Sequence, residues 1–308
     1  MAHITNQPLH GLVAATHTPF HADGVLNLSV VEKQAAHLTA GGVKYAFIGG
    51  TTGESASLTV DERRALAQRW CEVTHGTELK VIVHVGSNCL ADARTLAAQA
   101  QQLGALAVSA LAPSYFKPGS VAALVDCMAD IASASPRLPF YYYEIPLLTG
   151  VTLSPAEFLA RAAERIPNLA GLKFTSSNLM EYQLCRAFRD GAFDLPYGFD
   201  ELMLGALALG ATGAVGSGFN FAAPIYQRLL KAFAAGDLAT ARREQLHGVQ
   251  LVQVLARHGY MGAAKAVMKM LGVDVGPARL PHGNPSAEQV AALRGELEKL
   301  GFFDWLRP

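Results

Sequence analysis

The chain has 308 residues, enough for one large α/β barrel or for two ordinary domains. With 51% hydrophobic and 16% charged residues, it describes a packed globular protein with a large core and further apolar surface for subunit contacts. Lys and Arg together number 25, as do Asp and Glu, so no global field recruits nucleic acid or an anionic membrane.

The opening segment, MAHITNQPLH, lacks the basic and apolar regions of a secretion signal, and the apolar runs are too short and Gly-broken to span a bilayer. A cytoplasmic location is expected. The chain then repeats one beat: a short apolar run, a loop rich in Gly, Ser, Thr or Pro, and an Ala/Leu-rich helical stretch. The runs end near Thr16, Ile48, His84, Ala110, Tyr143, Lys173, Tyr197 and Val215. Eight such units predict an α/β fold, a TIM (β/α)8 barrel. A doubly wound open sheet is the alternative, but its glycine-rich first turn is replaced here by THTPFHADG.

Thr59 with Glu62, and Ser154 with Glu157 behind Pro155, read as helix starts. Glu62-Arg63-Arg64 reads as a solvated helix face. About 90 residues follow Val215, with helical stretches at 222–235, 238–258, 260–272 and 286–300. The expected organisation is a barrel catalytic domain over residues 1–222, then the last barrel helix region and a C-terminal helical extension over 223–308. The cysteines Cys71, Cys89, Cys127 and Cys185 show no CxxC spacing and are expected to be buried free thiols.

The segment Gly171-Leu172-Lys173-Phe174-Thr175 carries most chemical information. Side chains alternate along a strand, so if Leu172 and Phe174 face the helices, Lys173 projects into the barrel. A packed interior penalises an ammonium, and a neutral amine beside a carbonyl forms a Schiff base, an electron sink. A lysine reaching solvent, or paired with a carboxylate, fits the strand position equally well. Tyr143 ends the preceding strand, where barrel active sites lie, and its phenol can relay protons. Tyr141 and Tyr142 read as core. Glu144 serves as a base or faces solvent, the structural reading being preferred.

Gly49-Gly50-Thr51-Thr52-Gly53-Glu54-Ser55 offers backbone N–H groups and two hydroxyls to a carboxylate, and lacks the GK[ST] ending of a phosphate loop. Asp200 and Glu201 either cap the helix that follows or accept hydrogen bonds from sugar hydroxyls. That acidic pair argues against a phosphorylated substrate. His17, His84 and His258 lack ligand spacing, so no catalytic metal is expected.

GTTGES, the strand-end Tyr143-Glu144-Ile145-Pro146 and GLKFTSSN with Lys173 resemble the pyruvate-dependent aldolases of the dihydrodipicolinate synthase/N-acetylneuraminate lyase superfamily. The similarity runs from about Gly11 to the C-terminal helices. YYYEIPLLTGV, GFDELMLGALALGATGAVGS and MGAAKAVMKMLGVDVGPARLP are similar to the N-acetylneuraminate lyase branch, especially its animal type. The resemblance implies Lys173 as Schiff-base lysine, Tyr143 as proton-relaying phenol, and Thr51 and Thr52 as clamps on the pyruvyl carboxylate. Thr175, Gly198, Asp200, Glu201 and Ser217 match positions that hold the sugar chain.

Dihydrodipicolinate synthases carry an arginine where Leu148 stands, and an apolar side chain cannot make that charge-assisted pair. Glu144, Gly218 and Phe219 depart from the lyase pattern. Tyr115 matches a tyrosine lent to a neighbouring subunit. The resemblance further implies a homotetramer, no cofactor, and reversible cleavage of N-acetylneuraminate (sialic acid) to N-acetylmannosamine and pyruvate. The alternatives are a related lyase, synthase or dehydratase for another 2-keto acid, or a non-catalytic keto-acid-binding barrel.

Overall fold

The computed structural model describes residues 8–307. Seven parallel strands form the sheet: β1 (Gly11–Ala15), β2 (Tyr45–Ile48), β3 (Lys80–His84), β4 (Ala107–Leu111), β5 (Phe140–Glu144), β6 (Leu169–Phe174) and β7 (Gly213–Gly216). Their order is β6-β5-β4-β3-β2-β1-β7, consecutive but for the β1–β7 pairing. Residues 194–197 occupy the remaining gap with isolated parallel bridges, Phe174 to Tyr197 on one side and Tyr197 to Ala214 on the other.

The seventh expected run is therefore present, but not as a regular strand. Pro196 has no N–H to donate, so its carbonyl alone joins the ladder, accepting from Phe174 N at 3.0 Å. Gly171 permits the close approach on this side: a Cβ there would lie 1.7 Å from Asp194 O. The barrel closes, and the open-sheet alternative falls.

Strand alternation divides the core in two. Val13, Phe47, Ile82, Tyr141, Tyr143 and Val215 pack together inside the barrel. Leu12, Ile48, Val83, Tyr142, Leu172 and Phe174 belong to the larger cluster between barrel and helices. Tyr141 and Tyr142 are both core, on opposite faces. The Tyr141 hydroxyl donates to Asp194 Oδ2 at 2.9 Å, whereas Tyr142 packs its ring on Phe158.

The helices following these strands are α1 (Val31–Ala40), α2 (Val60–Thr74), α3 (Leu90–Gln102), α4 (Val121–Ser133), the one-turn α5 (Pro146–Thr149), α6 (Pro155–Arg165), α7 (Leu179–Ala187), α8 (Met203–Ala208) and α9 (Ala223–Ala234). Thr59 and Glu62 form a reciprocal capping box on α2, and Ser154 accepts from Glu157 N at the start of α6. Beyond α9 lie α10 (Leu238–Arg257), α11 (Tyr260–Met270), α12 (Ala287–Leu300) and the short α13 (Phe302–Trp305), which the sequence did not announce. Helix α10 packs along α9 and supports α11 and α12.

Two surface readings need correction. In Glu62-Arg63-Arg64 only Arg64 is exposed. Arg63 turns inward because the end of β3 leaves carbonyls to satisfy, and its guanidinium donates to His84 O and Gly86 O, each at 2.9 Å. All four cysteines are free, yet only Cys185 is buried; Cys71 and Cys127 are half-buried and Cys89 is exposed on the turn before α3. Among the described residues no helix is long and apolar enough to cross a membrane.

Candidate active site

Lys173 lies one residue from the end of β6, buried, with its side chain inside the barrel as strand parity predicts. Its register partner on β5 is Tyr143. Nζ sits 3.8 Å from the centre of the Tyr143 ring and 4.6 Å from that of Phe47. Aromatic faces on two sides leave the amine few polar neighbours. Of the two open possibilities for this lysine, a solvent-reaching side chain is excluded, and no ion pair to Lys173 is found among the described residues.

The Tyr143 hydroxyl is 3.1 Å from Thr51 Oγ1, which joins β5, the strand beside the lysine, to the threonine loop. Gly49 turns that loop at φ +61°, and His84 braces it, with Nδ1 2.8 Å from Gly49 O. Burial first, then the Arg63 charge, pushes the His84 imidazole well below its ordinary range, so it is neutral and Nδ1 carries the proton. The His84 ring meets Tyr143 edge-on at 5.8 Å. Nothing local marked His84 for this role; its partner carbonyl is 35 residues away.

Thr175 continues the inward face of β6. It is buried, and its Oγ1 has no hydrogen-bond partner among the described residues. Gly198 makes room for it, since a Cβ there would lie 1.9 Å from that oxygen. Buried hydroxyls are normally paired, so this one has hydrogen-bonding capacity left over beside the cavity.

Asp200 is buried and accepts from Gly218 N at 2.7 Å rather than from the start of its own helical turn. The capping explanation therefore fails for Asp200. Gly218 is required here: a Cβ would come within 2.3 Å of Asp200 Oδ2. Burial raises both the Asp200 and Glu201 carboxyls, and each is further affected by the other. Two carboxyls so close favour a state in which they hold one proton between them. Ser217 bonds the Tyr260 hydroxyl at 2.7 Å, bringing α11 to the site.

Thr51, Thr52, Tyr143, Lys173, Thr175, Gly198, Asp200, Glu201 and Ser217 all line one cavity of about 900 Å³ at the C-terminal mouth of the barrel. Leu147 and Leu148, largely exposed, form one apolar wall. His258, Tyr260, His282, Asn284 and Gln289 also line the cavity, a contribution of the C-terminal extension that sequence reasoning missed. Glu144, by contrast, neither lines the cavity nor faces solvent. It is buried outside the barrel, accepts from Thr175 N at 3.0 Å, and burial pushes its carboxyl up to about 7. Tyr115 is exposed and does not line the cavity. Among the described residues no group of three or more His, Cys, Asp or Glu is placed to hold a metal ion.

The dihydrodipicolinate synthetase family matches residues 8–300. The N-acetylneuraminate lyase of Xenopus tropicalis is 40% identical over 296 residues, covering 95% of this chain and 97% of that protein. Two solved structures share the fold: Proteus mirabilis N-acetylneuraminate lyase superposes with a TM-score of 0.93 at 38% identity, covering 96% of this chain and 100% of that one. The Aliivibrio salmonicida N-acetylneuraminate lyase (sialic acid aldolase) gives 0.93 at 42% identity, covering 96% and 98%.

Proposed function

The chain belongs to the dihydrodipicolinate synthetase family, and on that premise we propose that it is an N-acetylneuraminate lyase, a carbon–carbon lyase working through a lysine Schiff base. The observation that carries the chemistry is the position of Lys173, enclosed at the mouth of the barrel against Tyr143, whose hydroxyl reaches Thr51.

The Lys173 amine attacks the C2 ketone of open-chain N-acetylneuraminate, and loss of water leaves a protonated imine. Thr51 and Thr52, with the loop's N–H groups, hold the adjacent carboxylate. The iminium withdraws electrons as the C4 hydroxyl loses its proton, with Tyr143 and the substrate carboxylate as candidate acceptors. The C3–C4 bond then breaks, releasing N-acetylmannosamine as the aldehyde and leaving an enamine on Lys173. Protonation at C3 and hydrolysis return pyruvate and the free amine. Every electron sink in this sequence is the imine itself, so neither metal nor organic cofactor is needed.

Thr175, Gly198, Asp200, Glu201 and Ser217 surround the rest of the cavity with oxygen acceptors and hydroxyls, suited to a polyhydroxylated chain rather than to a phosphate. Leu148 gives a second carboxylate no cationic partner, which favours a neutral sugar aldehyde. A homotetramer is part of this reading and agrees with the exposed Tyr115 and Phe116.

Borohydride reduction in the presence of pyruvate, followed by peptide mapping, tests the assignment. The modified peptide is expected to contain Lys173, and Lys173→Ala is expected to abolish turnover. A label on any other lysine, or undiminished turnover of the variant, refutes the mechanism.

A further inference from the structure

The glutamate that follows the threonine loop is buried and unused by the chemistry above. Glu54 comes directly after Thr51, Thr52 and Gly53, adopts φ 55° and ψ 36°, and has a fully enclosed side chain. Left-handed backbone is unfavourable for a residue with a Cβ, so its surroundings must hold it there.

What holds it comes from the far end of the chain. Lys265 of α11, also buried, is ion-paired with Glu54 at 2.6 Å. The same ammonium donates to Thr18 O at 2.9 Å and Pro277 O at 2.8 Å. The second carboxylate oxygen of Glu54 accepts from Arg279 N at 2.7 Å. Thr18 closes the circuit, its hydroxyl donating to Gly53 O at 2.7 Å. His17 adds no competing charge, because burial and the Lys265 ammonium push its imidazole down to about 3.

Neither Glu54, Lys265 nor Thr18 lines the cavity, whereas Thr51 and Thr52 do. Desolvation consumes much of the Coulombic gain of a buried ion pair, so net stability is a weak reason for this one. Its geometry instead selects a single shape for the loop.

We propose that Glu54 and Lys265 are positioning residues that lock the Thr51-Thr52 loop in the shape that receives the 2-oxo acid carboxylate, making α11 of the C-terminal extension part of the recognition apparatus. The proposal rests on the Schiff-base reading of the site.

The test is borohydride trapping across a pyruvate titration for the wild type, Glu54→Gln, Lys265→Met and Thr18→Val. If the wild type shows no pyruvate-dependent trapping, the aldolase reading itself fails, before any variant is compared. With wild-type trapping in hand, each variant is expected to need on the order of tenfold more pyruvate for half-maximal trapping, as a displaced clamp would. Maximal trapping, kcat at saturating pyruvate and KM for the sugar are expected to change little.

A purely structural network would lower the melting temperature or the active fraction and leave the half-saturating pyruvate unmoved, which overturns the proposal. Should Lys265→Met not fold, Glu54→Gln keeps an acceptor for Arg279 N and Thr18→Val leaves the ion pair intact. Unchanged pyruvate dependence in both, or loss of folded protein in all three, assigns the network to stability alone and likewise overturns it.

Discussion

Tyr143 and Lys173 are register partners across β5 and β6, and the lysine Nζ rests 3.8 Å from the centre of the tyrosine ring. The ring and the hydroxyl can therefore be separated by mutation. Tyr143→Phe keeps the aromatic wall but removes the hydroxyl that bonds Thr51. It is expected to lower kcat by a factor on the order of 10²–10⁴, the range of one acid–base group, with the fold intact. Steady-state kinetics of sialate cleavage beside a thermal melt checks this; an unchanged kcat removes the phenol from the mechanism.

Gly198 is fixed by its neighbour. An added Cβ would stand 1.9 Å from Thr175 Oγ1 and 3.0 Å from Phe174 O, so either the threonine or the backbone must move. Gly198→Ala is expected to cost ~1–3 kcal/mol in urea unfolding and to depress kcat/KM further than that loss explains. Equal activity per folded molecule would show that Thr175 plays no part in binding.

Glu144 makes a pH prediction whose sign can be worked out. Burial raises its folded-state carboxyl to about 7, against opposition from the Thr175 N–H and with help from Glu181. The folded chain then holds a proton that the unfolded chain releases near the ordinary carboxylate range of ~4.3. Its stabilising contribution is full below that range and is lost as pH rises towards about 7. Urea melts at pH 5 and pH 8 should show Glu144→Gln gaining up to ~3 kcal/mol relative to wild type at the higher pH, an upper limit because the site is not wholly enclosed. A pH-independent difference would mean that the carboxyl titrates normally.

Leu148 offers a specificity test at the rim. Leu148→Arg places a cation at the cavity edge, where the proposed reading puts the aldehyde part of the substrate. Sialate cleavage is expected to fall while pyruvate trapping on Lys173 persists. If both are unaffected, the aldehyde end of the cavity has been assigned to the wrong wall.

Much of this site was legible because strand alternation is local. Leu172 and Phe174 are apolar and bulky, so parity gives the inward direction of Lys173, though not what surrounds its amine, and the same rule separates Tyr143 from Tyr142. The Thr59 and Ser154 caps were readable for a similar reason, since donor and acceptor lie three residues apart. Arg63 was misread because its acceptors belong to another element, and nothing in a helical charge run reveals an unsatisfied carbonyl elsewhere. Asp200 was left between a cap and a cavity group for the same reason, since its carboxylate goes to Gly218, which belongs to another element, and not to its own helix. Tyr260, which bonds Ser217, stood in a stretch recognised only as helical. Periodicity identifies a helix's apolar face but not the neighbour that face will meet.

The ammonium of Lys265 and the carbonyl of Thr18 are separated by 247 positions in the chain. The loop after β2 thus emerges during synthesis long before the residue that secures it. Contacts of such range close late, after the entropy of the intervening chain has been surrendered. A nascent barrel would hold its lysine and tyrosine in place while its carboxylate clamp was still unsettled. Catalytic competence would then arrive as one of the last events of folding, on a timescale set by the docking of α11 rather than by assembly of the strands.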